Sequence, residues 1–130
     1  MNANEVIANR AIEILGGTKG DYSVVHPNDH VNMSQSTNDV IPTAGKITVL
    51  KLLPQTIKEL EKLEKAMEEK EAEFDDILKM GRTQLQNAVP MRLGQSFGAF
   101  AHVLKRDIKR LKNVMDEMKV LNIGATAIGT

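Results

Sequence analysis

Residues 93–121, LGQSFGAFAHVLKRDIKRLKNVMDEMKVL, carry the pattern that decides the fold. Leu93, Phe97, Phe100, Leu104, Ile108, Leu111, Met115, Met118 and Leu121 follow one another at intervals of 4, 3, 4, 4, 3, 4, 3 and 3 residues. An apolar residue every 3.5 positions draws one stripe along a helix and matches the seam of a coiled coil. Burying nine such side chains would release roughly 13 to 27 kcal/mol at about 1.5–3 each, an upper bound because an unfolded chain already hides some surface. The stripe predicts a helix from about residue 92 to 121, roughly 45 Å long at about 1.5 Å per residue.

Working outward, Ile47, Leu50, Leu53, Ile57, Leu60, Leu63 and Met67 draw a second stripe, with Lys58, Glu61, Lys62, Glu64, Lys65, Glu68 and Glu69 on the other faces. This is one helix over about 40–73 with a solvated side. Pro54 deletes a backbone donor and crowds the preceding turn, so a kink is expected near Leu53. Residues 4–15 read as a short helix closed by Gly16-Gly17, where glycine takes the left-handed cap conformation. Residues 16–39 and 74–91, dense in Gly, Pro, Asn, Asp and Ser or broken by Pro90, read as loops. The second contains at most a short extended piece at 77–80. The class is all-α and the chain a single domain over 1–130. Two long helices joined by a short loop lie antiparallel, and a two-helix hairpin covers only one side of each stripe. Self-association into a bundle of several copies is therefore expected.

Composition excludes several functions. Seventeen basic residues balance seventeen acidic ones and are interleaved with them, so neither nucleic acid nor an anionic membrane surface is an expected partner. The absence of cysteine removes disulfides, thiolate metal sites and cysteine nucleophiles, and fits a cytoplasmic location. No run approaches the roughly 20 apolar residues that span a bilayer, and the start, Met1-Asn2-Ala3-Asn4-Glu5, is polar. Gly45-Lys46 lacks the upstream glycine of a phosphate loop, and residues 124–129 lack dinucleotide spacing.

Chemistry concentrates in two places. His26-Pro27-Asn28-Asp29-His30-Val31-Asn32-Met33-Ser34-Gln35-Ser36-Thr37-Asn38-Asp39 packs imidazole, amide, carboxyl and hydroxyl groups directly before a helix. Ser36 to Asp39 can cap that helix, and the same free N–H groups, with the helix dipole and flanking hydroxyls, can hold a carboxylate. His26 and His30, with Asp29, would share a helical face suited to metal only if the segment were helical, and Pro27 argues against that. No metal is expected. Gly81-Arg82-Thr83-Gln84-Leu85-Gln86-Asn87 is the second polar cluster, again ahead of a long helix.

Met1 to Ala11, the loop from His26 to Asp39, Lys79 to Gln86 with Ala88-Val89-Pro90, and Gly124 to Thr130 together resemble the signatures of the aspartase/fumarase superfamily, in its order and over nearly the whole chain. Met33, Thr37 and Gln84 lean toward the aspartase branch rather than the fumarase branch, while Asn87 departs from the acidic residue more usual at its position. The resemblance implies long antiparallel helices of a central helical bundle, assembled as a homotetramer. It implies an ammonia-lyase that converts L-aspartate to fumarate and ammonia by anti-elimination without a cofactor. It places Ser36, Thr37, Asn38, Thr83 and Gln84 against substrate and matches His26, Asn28 and Asp29 to a secondary anion site of the fumarase branch. A fumarase-type hydratase and a purely structural helical oligomerisation module are the alternatives.

The family's base is a serine in a Gly-Ser-Ser loop, and no Gly-Ser-Ser occurs among the 130 residues. No catalytic residue is therefore assigned within the chain. Both ends fall inside family motifs, so an internal fragment without turnover of its own is expected.

Overall fold

A computed structural model describes residues 1–129, so the motif running to Thr130 ends outside the described residues. Five main elements follow in order: α1 (Asn2–Ile14), α2 (Thr37–Glu73), β1 (Leu78–Thr83), β2 (Gln86–Arg92) and α3 (Leu93–Met118), with a single π-helical turn at Pro27–Val31. The chain divides into two compact units, Met1–Gly45 with the residues from Leu121 onward, and Lys46–Val120. No helix among the described residues is long and apolar enough to cross a membrane.

In the first unit α1 buries Ala8 and Ile12 against the π-turn, where Pro27 is also buried. Its end is fixed by backbone chemistry. The Gly17 N–H donates to the Ile12 carbonyl at 2.9 Å and the Gly16 N–H to that of Glu13 at 3.0 Å, with Gly16 at φ 79°. This is the Schellman closure, and it needs glycine at the left-handed position. Asn9 anchors the following loop: its Nδ2 donates to Tyr22 Oη at 3.3 Å, and its Oδ1 accepts from the Gly20 N–H at 2.7 Å.

The second unit is an antiparallel pair built from the later part of α2 and from α3. The order of contacts shows the direction: Lys46 Nζ donates to the Val120 carbonyl (2.7 Å), Lys112 to Glu61 (2.7 Å), Lys105 lies 3.8 Å from Glu64, and the Phe74 ring packs tilted against that of Phe97 with centroids 5.3 Å apart. Ile57, Ala101 and Ile108 form the buried apolar centre. The helices approach closely where α3 begins, because Gly94 and Gly98 lie one turn apart under Glu71. A Cβ on Gly94 would collide with the Glu71 carbonyl and the Asp75 backbone, whereas one on Gly98 would meet the end of the Glu71 side chain.

The seam on α2 differs from the expected one. On α2 the inward face runs Leu50, Leu53, Ile57, Leu60, Glu64 and Met67, while Ile47 and Leu63 are exposed. The seam keeps a strict heptad, so Lys46 and Glu64 occupy seam positions and their apolar neighbours fall beside it. Of the nine side chains in the α3 stripe only Ile108 is fully buried, and Phe100 remains 56% exposed. Leu121 is exposed as well, whereas the other six are partly covered, so the chain itself buries much of the stripe and leaves part of it open.

Residues 74–91, expected as loop, contain a β-hairpin. β1 and β2 pair antiparallel with Leu78 opposite Arg92, Met80 opposite Pro90 and Thr83 opposite Gln86, and the register shifts between Met80 and Arg82. Gly81 sits at that irregularity. A Cβ there would stand 2.8 Å from the Val89 carbonyl and 3.2 Å from Met91 Sδ, so the cross-strand approach requires glycine. Pro90 is tolerated because each strand of a two-stranded ladder is an edge. The all-α class therefore carries one small sheet.

Candidate functional site

The residues singled out as carboxylate contacts fall into two groups, one in each unit. Ser36, Thr37 and Asn38 belong to the first unit, Thr83 and Gln84 to the second.

Ser36 is the N-cap of α2. Its carbonyl accepts from the amides of Asp39 and Val40, both at 3.2 Å, and its Oγ accepts from the Asn38 N–H at 3.1 Å. Three residues on, Asp39 Oδ2 reaches back and accepts the Ser36 N–H at 3.1 Å. The sequence Ser36-Thr37-Asn38-Asp39 is thus a reciprocal capping box. Once that box is made, the Ser36 O–H proton and the amide and hydroxyl of the exposed Thr37 carry no partner within the box, and the Asn38 side chain is exposed beside them. A cluster of donors at the positive end of a 37-residue helix favours an anion. Asp39 itself is 1% exposed, and its Oδ1 has no hydrogen-bond partner.

The second group sits at the hairpin tip. Gln84 (φ 48°) and Leu85 (φ 63°) both occupy the left-handed region, which defines a two-residue turn of the I′ kind. Such a turn ordinarily uses Asn-Gly, because each L-residue held there costs about 1–2 kcal/mol. Leu85 is 93% exposed and Thr83 and Gln84 are exposed too. The tip therefore presents a hydroxyl and a primary amide on a strained, tightly defined backbone, where strain tends to mark function.

His26 caps the π-turn. Its Nδ1 accepts from the amides of Asn28 (3.2 Å) and Asp29 (3.1 Å), and His30 Nδ1 accepts from the His26 N–H at 2.8 Å. The Asp29 carboxylate lies 3.3 Å from His26 Nδ1. The Asn28 and Asp29 amides, obvious donors for an anion, are already engaged. No group of three or more His, Cys, Asp or Glu side chains arranged to hold a metal occurs among the described residues.

One carboxyl elsewhere has a displaced titration. Lys19 donates to the exposed Glu13 at 2.8 Å, and this hydrogen bond, with smaller help from Arg10 and against a little desolvation, holds the carboxyl below the usual glutamate value.

A family model described as lyase matches residues 1–130. The chain belongs to that lyase family. Within it, the chain is 58% identical to the aspartate ammonia-lyase of Bacillus subtilis and 50% identical to that of Escherichia coli K12, in each case over all 130 residues. The chain spans 27% of the length of each of these relatives. Among solved structures, the cobalt-bound fumarate lyase:delta crystallin of Brucella melitensis superposes with a TM-score of 0.85 at 55% identity, over all of this chain and 28% of that one. The class II fumarase of Schistosoma mansoni gives 0.82 at 36% identity, over 99% of this chain and 27% of that one.

Proposed function

We propose that this chain is the carboxylate-gripping segment of a cytoplasmic aspartate ammonia-lyase, with Ser36, Thr37, Asn38, Thr83 and Gln84 as substrate contacts. The capping box at Ser36 carries the reading, because it consumes the polar groups that build the helix start and leaves the Ser36 hydroxyl and Thr37 donors for an external oxyanion. Relatives at half identity or more that bear the aspartase name support the choice of L-aspartate.

In the reaction a base removes the proton from C3 of aspartate. The electron pair of that C–H bond moves into the adjacent carboxylate, giving an enediolate-like species with a second negative charge on its oxygens. The pair then returns to form the C2–C3 double bond while ammonia leaves from C2 with the C–N electrons, yielding fumarate. Fixed donors aimed at the carboxylate oxygens stabilise the charge where it develops and need no rearrangement as it forms. Ser36 and Thr37 supply hydroxyl and amide donors at a helix start, and Gln84 and Thr83 supply an amide and a hydroxyl from the hairpin tip. The base is proposed to come from outside residues 1–130.

Self-association belongs to the same proposal. Leu52 and Leu63 on α2 and Phe100 on α3 remain 60%, 42% and 56% exposed, and further copies are the proposed cover.

Titration of the purified chain with succinate, a saturated dicarboxylate, tests the reading by amide NMR. Shifts confined to Ser36–Asn38 and Thr83–Gln84, and weakened by Thr83→Ala, are expected. Unmoved amides would leave a helical assembly module whose polar loops act only as caps and turns.

A further inference from the structure

A helix start can be capped by an exposed Ser, Asn or Asp at little cost. Here the residue that closes the box is different: Asp39 is 1% exposed, and only one of its two oxygens has a partner. Thr43, one turn further along the same face of α2, is also buried, with its Oγ1 unpartnered. Burying a half-satisfied carboxylate is costly, and capping alone does not require it. What Asp39 does gain is a hold on one atom, the Ser36 amide nitrogen, at 3.1 Å.

That hold has a geometric consequence. The Ser36 N–H and Oγ are the two groups that could fold back on other parts of the loop, and the preceding Ser34 already stands at φ 57°. With the N–H tied to Asp39 and the Oγ accepting from Asn38, the rotation of Ser36 about both its backbone and its side chain is fixed. The hydroxyl proton then has a limited set of directions outward. A buried anchor achieves this better than an exposed one, since solvent does not compete for the carboxylate.

We infer that Asp39 is a positioning residue, whose buried carboxylate sets the orientation of Ser36, Thr37 and Asn38 toward a bound carboxylate. The inference rests on the carboxylate-binding reading of that segment. It assigns to Asp39 no contact with the ligand itself.

The experiment compares the wild-type chain, Asp39→Ala and Asp39→Asn by amide NMR, circular dichroism and succinate titration. In Asp39→Ala the Ser36 amide moves upfield and exchanges faster, and the succinate dissociation constant rises roughly tenfold, on the scale of losing one well-placed cap. In Asp39→Asn the side-chain carbonyl still accepts the Ser36 N–H, so the amide position and most of the affinity return. A folded Asp39→Ala chain that binds succinate as the wild type does, or that leaves the Ser36 resonance in place, would overturn the inference. So would an Asn variant as weak as the Ala variant, because charge and not the hold on Ser36 would then matter. This second arm decides the question should Asp39→Ala fail to fold. A wild-type chain indifferent to succinate removes the carboxylate reading first and this inference with it, and is recognised before either variant is made.

Discussion

Replacing Leu85 by glycine should stabilise the protein. Leu85 stands at φ 63° and is 93% exposed. An L-residue in the left-handed region carries about 1–2 kcal/mol of steric cost that glycine does not. Against this, glycine loses more backbone freedom on folding, about 0.5–1 kcal/mol. The leucine side chain contributes little in return, since full burial would be worth about 1.5–3 kcal/mol and almost none of it is buried. The net is a gain of roughly 0.5–1 kcal/mol, or an upward shift of about 2–5 °C in Tm for a chain of this size. Thermal unfolding of wild type, Leu85→Gly and Leu85→Ala measures it. Alanine keeps a Cβ and hence the strain, so Leu85→Ala should melt near the wild type. A Leu85→Gly chain that melts at or below Leu85→Ala would refute the argument, and would mean that the turn is not strained or that Leu85 is covered in solution.

Other outcomes follow from the same geometry. Gly94→Ala should cost about 1–3 kcal/mol, because the new methyl meets backbone at Glu71 and Asp75 that cannot swing away. Gly98→Ala meets only the end of the Glu71 side chain, and chemical denaturation should show it neutral or up to about 1 kcal/mol more stable as helix propensity improves. Lys19→Met should raise the Glu13 pKa toward the ordinary glutamate value in an NMR titration. Because the folded value is the depressed one, the stabilising contribution of this pair is present above the unfolded pKa and fades as pH falls through the folded one, so the variant's stability should converge with the wild type in acid.

The helices were legible because their signal is periodic and local. The intervals from Leu93 to Met118 can be satisfied by one conformation, and Gly16-Gly17 supplied a stop with a backbone mechanism. The hairpin was not legible for equally local reasons. Its turn is Gln84-Leu85, two residues that normally avoid the left-handed region, in place of the Asn-Gly that would announce it. Its strands are broken by Gly81, whose role depends on how near Val89 and Met91 come from across the ladder, and by Pro90, which suggests a loop until the strand is known to be an edge. The seam of α2 was misplaced by one position at Ile47 and Leu63 because composition favours the apolar neighbour. Lys46 instead finds the Val120 carbonyl, and Glu64 approaches Lys105, contacts that no local pattern reveals.

The candidate site divides along the same line. Residue types at Ser36-Thr37-Asn38-Asp39 were enough to propose a helix cap and an anion site together, since both use the same free N–H groups. They were not enough to separate the roles of the four. An exposed and a buried aspartate look identical in a sequence, and the distinction between Asp39 and its neighbours rests on 1% exposure and on an oxygen with no partner. The reverse happened at His26. There the family resemblance suggested a secondary anion site, and in the fold the ring nitrogen accepts from the amides of Asn28 and Asp29. A polar residue in a helix-capping loop therefore has two possible outlets, inward to the backbone or outward to a ligand, and hydrogen-bond bookkeeping decides between them. By that measure the donors still available are at Ser36, Thr37 and Asn38, and the carboxylate that keeps them available is the one that water cannot reach.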